Sequence, residues 1–164
     1  MIKAIIFDWG RTLYDSDAGM LFPGVHALLS ALSRRYALAV VSLVTGDYTA
    51  RVAERREILR HVGLDRFFSL LLFVPTNKDA AYAEALVTLG VQANEIAIVD
   101  DRARRGIAWG NRHGATTIWL RRGRFADELP DAETGEPDHT LAEIGELGPL
   151  LLLRPTQLPR QRIS

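Results

Sequence analysis

Cysteine is absent from the 164 residues, which excludes a disulfide framework, a thiolate nucleophile and every cysteine-based zinc site. A surplus of either charge is missing too. The 20 basic and 20 acidic side chains cancel, which argues against non-specific nucleic-acid or membrane-surface binding as the main task. Long hydrophobic runs are lacking: Leu38 to Val44 and Leu70 to Val74 fall far short of the roughly 20 residues that cross a bilayer. The opening stretch reaches Asp8 too early for the apolar region of a signal peptide, so a cytoplasmic location is expected. Lysine is scarce: Lys3 and Lys78 stand beside 18 arginines, so an internal lysine invites a question.

Apolar residues make up 48% of the chain and charged ones 24%, enough for a core without covalent staples. One domain is expected over 1–153, with 154–164 as a flexible tail, because Arg154 to Arg162 offers little to bury. Five apolar, β-branched runs read as strands: Ile2 to Phe7, Leu38 to Ser42, Leu70 to Val74, Ile96 to Val99 and Thr116 to Leu120. Runs without polar alternation suit strands covered on both faces, hence a parallel sheet. Between them Val25 to Arg35, Tyr48 to Val62, Ala80 to Leu89 and Arg104 to Arg112 read as helices, and a short one is expected from Leu141 to Leu147. Gly24, Asp47 and Asn77 stand where caps belong, and Gly63, Gly90 and Gly114 where helices stop. The pattern predicts an α/β, doubly wound, parallel five-stranded sheet with helices on both faces.

In such a sheet ligands bind beyond the carboxyl ends of the strands, so polar residues that close apolar runs are the first candidates. Asp8 follows Ile5-Ile6-Phe7, Ser42 follows Ala39-Val40-Val41, and Asp100-Asp101 follow Ile96 to Val99, while Lys78 opens the helix after the third strand. A carboxylate to attack, acids to hold Mg²⁺, and a hydroxyl with an ammonium to hold phosphate oxygens are what phosphoryl transfer to an aspartate requires.

These residues carry a resemblance to the haloacid dehalogenase superfamily. Ile6-Phe7-Asp8-Trp9-Gly10-Arg11-Thr12-Leu13 is similar to the family's first motif, Val40-Val41-Ser42 to its second, Lys78 to its third and Ile98-Val99-Asp100-Asp101 to its fourth. Phe22-Pro23-Gly24-Val25, Gly114 to Trp119 and Pro137-Asp138 extend the match over roughly Ile2 to Leu152. The resemblance implies a Rossmann-like core that hydrolyses phosphate monoesters through an aspartyl-phosphate on Asp8. Ser42 and Lys78 would bind the phosphoryl oxygens. Asp8, the Gly10 carbonyl, Asp100 and Asp101 would hold Mg²⁺, with Asp101 acting directly, through water or by orienting a ligand.

One position departs from the pattern. The family's second aspartate, which protonates the leaving oxygen and then activates water, is Gly10 here, and such an acid-base group is typically worth 10²–10⁴-fold in rate. Three outcomes stay open: slow hydrolysis of esters with good leaving groups, a substitute acid such as Asp15 or Asp17, or a phospho-ligand or partner-binding protein with little turnover. Arg11 is either a phosphate contact or a solvated loop arginine. The dehalogenase branch does not use the Mg²⁺ site that Asp100-Asp101 suggests, and the phosphonate-cleaving branch needs a cap lysine that neither Lys3 nor Lys78 supplies.

Tyr14 to Phe22 and Asp79 to Val99 are too short to hold the family's usual cap, so a capless core is expected. An open site excludes water poorly, which points to a bulky phosphorylated substrate, to homo-oligomerisation, or to the loop from Tyr14 to Gly19 as cover. Trp109 and Trp119 are expected in the core, as is Trp9, whose alternative is stacking on a substrate, and the four histidines on the surface or in loops. Arg102, Arg104 and Arg105, at a helix start, either pair with nearby acids, the favoured reading, or meet an anionic substrate; Arg121, Arg122 and Arg124 are expected in a solvated loop, the alternative being a small anion patch near the site's rim.

Overall fold

The computed structural model describes residues 1–153; the expected tail at 154–164 lies outside the described residues. The strands are β1 (Ala4–Phe7), β2 (Tyr14–Asp15), β3 (Met20–Leu21), β4 (Ala37–Leu43), β5 (Leu70–Val74), β6 (Ile96–Asp100), β7 (Thr116–Leu120) and β8 (His139–Leu141). The α-helices are α1 (Val25–Leu32), α2 (Tyr48–His61), α3 (Asp79–Leu89), α4 (Ala108–His113) and α5 (Leu147–Leu152). Six strands form one sheet in the order β5-β4-β1-β6-β7-β8, every neighbouring pair parallel.

The apolar runs explain this layering. Alternate residues of a strand point to opposite faces. On one face Ile5, Phe7, Leu38 and Val40 pack with Val25, Leu28, Leu29 and Leu32 of α1 and with Leu147 and Leu151 of α5. On the other, Ala4, Ile6, Ala39 and Val41 meet Ala81, Tyr82 and Ala85 of α3 and Trp109 of α4. Trp9 and Trp119 are buried as well. Asp47 caps α2 by accepting from the Ala50 amide at 3.0 Å.

The expected five strands are six. His139–Leu141 is only three residues long and mostly exposed, too short to stand out as an apolar run, and it joins β7 in the register Ile118↔His139. Polar pinning holds it there: Asp138 Oδ2 accepts from the Thr117 amide at 2.8 Å, and the Asp138 amide donates to Thr117 Oγ1 at 3.0 Å. The helix expected from Leu141 therefore starts later, after a 3₁₀ turn at Ile144–Glu146 in which Glu146 accepts from the Ala142 and Glu143 amides. The helix expected from Arg104 opens instead with a π-helical turn, Ala103–Ile107.

No cap is inserted among the described residues. Asp8 to Gly24 holds the small hairpin β2–β3, braced by Tyr14 stacked on Trp9 with ring centroids 5.1 Å apart, and Lys78 to Asp100 holds α3 and a 3₁₀ turn. No described helix is long and apolar enough to cross a membrane.

Candidate active site

The strand order puts β1 between β4 and β6, so the polar residues ending these three strands converge although they are far apart in sequence. Asp8 follows β1, Ser42 lies in the last turn of pleat of β4, and Asp100 ends β6 with Asp101 behind it. Lys78 stands immediately before α3 with its side chain 3% exposed, and its ammonium donates to Asp8 Oδ1 at 2.6 Å and to Asp100 Oδ2 at 2.9 Å. All five residues named from the sequence are buried together at one end of the sheet.

The electrostatics follow from this packing. Burial by itself would lower the Lys78 ammonium's pKa, but the Asp100 and Asp8 carboxylates outweigh it and keep the group charged. Burial pushes Asp8 upward against the pull of Lys78. Asp101 is pushed up to about 8, first by burial and then by repulsion from Asp8 and Asp100. Its Oδ2 is buried and has no hydrogen-bond partner. Such an orphan is costly unless something fills its place.

Asp8, Asp100 and Asp101 can each point one oxygen into a shared space, those atoms lying within 4.8 Å of one another. Oxygen donors grouped this way suit a hard divalent cation, and the unpartnered Asp101 oxygen is the position with most to gain from one. The donor set therefore fits a metal. Asp100 is itself held rigidly: Oδ1 accepts from the Arg102 amide at 2.9 Å and Oδ2 from the Gly106 amide at 3.2 Å. Glycine at 106 is what permits that close approach, since a Cβ there would stand 2.7 Å from Asp100 Oδ2, 2.8 Å from the Tyr82 hydroxyl and 2.9 Å from Ile98.

A crevice of about 200 Å³ opens over these groups, lined by Asp8, Gly10, Ser42, Asp101 and residues the sequence did not single out. The most telling is Arg55 of α2, half-buried, which donates to Ser42 Oγ at 2.6 Å and to the Leu43 carbonyl at 2.9 Å. Its sequence setting, with Arg51, Arg56 and Arg60 on one polar helix, looks like a solvated face. The signal lies in the register of β4 against α2, which only the fold supplies. Ser16 and Phe125 also line the crevice.

The surroundings of Gly10 bear on the missing acid. An ideal Cβ there would lie 3.2 Å from Ser16 Oγ, so a hydroxyl of the hairpin occupies the space next to position 10. Asp15 and Asp17 do not line the crevice: Asp15 Oδ1 accepts from the amides of Asp17 and Ala18 inside the hairpin, and Asp17 lies 3.6 Å from the Arg11 guanidinium. Arg11 does line it, with a left-handed backbone at φ 62° and its guanidinium 5.5 Å from the Phe125 ring. Arg102 and Arg104 pair with Glu128 at 2.6 Å and Asp131 at 3.2 Å, as expected, whereas Arg105, expected to pair as well, has no ion-pair partner among the described residues. Arg122 also departs from a merely solvated loop, lying over the Phe22 ring at 3.3 Å and pairing with Glu143 at 3.0 Å.

Over most of its length the chain superposes on a haloacid dehalogenase-like family hydrolase from Streptococcus pneumoniae, with a TM-score of 0.74 and 17% identity, covering 91% of this chain and 98% of that one. The fold is that of the haloacid dehalogenase superfamily. A family model described as HAD-hydrolase-like matches residues 77–147, from the residue before Lys78 through the Asp100-Asp101 pair to α5. L-2-haloacid dehalogenase from Xanthobacter autotrophicus is similar at a TM-score of 0.72 with 14% identity, covering 93% of this chain and 99% of that one. Glyceraldehyde 3-phosphate phosphatase from Methanopyrus kandleri is 30% identical over 115 residues, 62% of this chain and 49% of that protein. The chain thus spans about half the length of that relative. Since the same fold serves dehalogenases and phosphatases, the choice between chemistries falls to the residues.

Proposed function

We propose that the chain is a Mg²⁺-dependent hydrolase of phosphate monoesters that uses Asp8 as nucleophile. The observation that carries this reading is the Lys78 ammonium held between Asp8 and Asp100 at 2.6 and 2.9 Å beside the unpartnered oxygen of Asp101. A cluster of three acids with one fixed ammonium supports attack on an anion, and the phosphatase named among its relatives supports phosphate as that anion.

In this reading the phosphoryl group sits against Ser42 Oγ and the Lys78 ammonium, with the Arg55 guanidinium behind Ser42. Asp8, the Gly10 carbonyl, Asp100 and Asp101 hold the cation. When bound, the divalent ion neutralises charge so that a phosphate dianion approaches carboxylates. The Asp8 carboxylate attacks phosphorus, the ester P–O bond breaks, and the departing alkoxide takes its proton from water. Water then attacks the phosphorus of the aspartyl-phosphate, releasing inorganic phosphate and the free carboxylate. Lys78 stays protonated throughout and orients Asp8 through Oδ1. The active chain then favours esters whose leaving oxygen needs no proton, because the carboxylates lining the crevice, Asp8 and Asp101, are taken up as nucleophile and cation ligand and position 10 adds none.

That same gap favours a second reading, a phospho-ligand-binding protein with little turnover. Hydrolysis of p-nitrophenyl phosphate with Mg²⁺, run beside Asp8→Asn, separates them. Turnover abolished in the variant supports the hydrolase. Turnover unchanged by the substitution removes Asp8 as nucleophile, and ligand-induced stabilisation without turnover supports the binder.

A further inference from the structure

Four arginines line the crevice over Asp8, and they are not equivalent. Arg102 is neutralised by Glu128 at 2.6 Å and lies 3.7 Å over the Phe125 ring. Arg11 has Asp17 at 3.6 Å. Arg55 is spent on Ser42 Oγ and the Leu43 carbonyl. Arg105 differs from all three: among the described residues its guanidinium makes no hydrogen bond, ion pair or ring contact, although the residue is half-buried. It projects from the π-helical turn that follows Asp101, and it borders both the crevice over Asp8 and a second one of about 150 Å³ that contains Lys78.

A guanidinium at a crevice wall with no ion-pair partner among the described residues is free to take an anion, and its planar fork suits carboxylate or phosphate oxygens. In the proposed reading the transferred phosphoryl group has its partners in Ser42 and Lys78, which arrive from β4 and the start of α3, with Arg55 of α2 behind Ser42. Arg105 arrives from a different element, on the side of the Asp100-Asp101 turn. We propose that the crevice selects phosphate esters carrying a second anionic group, a carboxylate or another phosphate, and that Arg105 is the residue holding it. This rests on the reading of the crevice as a phosphoryl site and adds the class of substrate to it.

The test measures binding, so it does not depend on turnover. Full-length Asp8→Asn protein with Mg²⁺ is titrated calorimetrically with two matched pairs: 3-phosphoglycerate against glycerol 3-phosphate, and fructose 1,6-bisphosphate against fructose 6-phosphate. At least one second-anion ligand should bind about tenfold or more tightly than its partner, the size expected of a charge-assisted contact. Adding Arg105→Gln should bring that pair to within about twofold. Adding Arg104→Gln instead, which removes the same charge from a neighbour paired with Asp131, should leave the preference intact. Preference in the glycerol pair assigns a carboxylate, in the fructose pair a phosphate. Equal affinities within both pairs, a preference that survives Arg105→Gln, or one lost equally with Arg104→Gln would each overturn the proposal while leaving the phosphoryl site standing. Failure of all four esters to bind would overturn both.

Discussion

Replacing Lys78 by Met keeps the unbranched stem, one atom shorter, and removes the ammonium, which isolates what the charge does between Asp8 and Asp100. Both partners are buried, with side chains 10% and 0% exposed, so water cannot replace the lost donor. Breaking a buried ion pair by removing one partner costs about 3–5 kcal/mol. A second route gives a similar ceiling. The stranded carboxylates can escape by taking up a proton, and at pH 7.5 protonating a group of ordinary value 3.8 costs about 5 kcal/mol at 1.36 kcal/mol per pH unit. Burial has already pushed Asp8 upward, which favours the lower part of the range.

The proton route makes the loss depend on pH with a definite sign. In Lys78→Met the folded state holds a proton that the unfolded state releases, so stability falls as pH rises above the ordinary carboxyl range. The destabilisation should shrink from about 3–5 kcal/mol at pH 7.5 to about 2 kcal/mol at pH 5.5. Urea denaturation followed by tryptophan fluorescence at both pH values measures it, and a parallel melt should fall by about 6–20 °C at the higher pH. Millimolar Mg²⁺ should recover more stability in the variant than in the parent, since the cation then offsets acids that have lost their lysine. A loss under about 1 kcal/mol at pH 7.5, or one equal at both pH values, refutes the idea that Lys78 neutralises a buried acidic cluster.

Three further outcomes follow from the same geometry. Gly106→Ala puts a methyl 2.7 Å from Asp100 Oδ2 and 2.9 Å from Ile98, and should cost about 1–3 kcal/mol in chemical denaturation while weakening Mg²⁺ binding in a titration. Gly10→Asp meets a single movable hydroxyl, Ser16 Oγ, at 3.2 Å, and should raise alkyl phosphate hydrolysis by about 10²–10⁴-fold and p-nitrophenyl phosphate hydrolysis far less, because that leaving group needs no acid; equal gains on both would count against a missing proton donor. Asp101, pushed up to about 8, keeps a proton when folded that it loses when unfolded, so metal-free stability should decline as pH rises from about 4 through 8, and the melting-temperature gain from Mg²⁺ should grow from pH 6 to pH 9.

Much of the site was legible in the sequence because parallel topology turns strand endings into a shared edge. Asp8, Ser42, Asp100 and Asp101 each close an apolar run, and that local pattern is enough to bring them together once the sheet is parallel. Lys78 was legible through its scarcity and its place before a helix. Arg55 was not, and Arg105 stood out only as one of three arginines at a helix start, with pairing favoured for all of them. An arginine reaching a site from a polar helix has the same local sequence as one facing solvent, and the difference is made by its distance across the fold. The segment from Arg121 to Asp138 hid its order for a related reason. Its composition suggests a loose loop, yet Glu128 meets Arg102, the Thr134 and Glu136 carbonyls accept from Asn111, and Asp138 meets Thr117, all at sequence separations above 20. Those contacts also bring Phe125 to the wall of the crevice, so part of the cover sought in the Tyr14 to Gly19 loop comes from there.

The use of lysine and arginine now separates by geometry. Lys78 has to stand between two carboxylates approached at 2.6 and 2.9 Å, with a third close by, in a space that leaves it 3% exposed. An ammonium is a compact point charge with donors that rotate to meet both acids; a planar guanidinium would need a wider slot and would present its donors in a fixed fork. At the crevice walls the requirement reverses. Arg55 donates from one nitrogen to both a hydroxyl and a carbonyl, and Arg105 presents a fork without a partner among the described residues, arrangements whose fixed directions suit planar or tetrahedral anions. In a chain with 18 arginines and two lysines, the internal lysine therefore marks the place where the charge must fit between acids, while the arginines around it are suited to reading what enters.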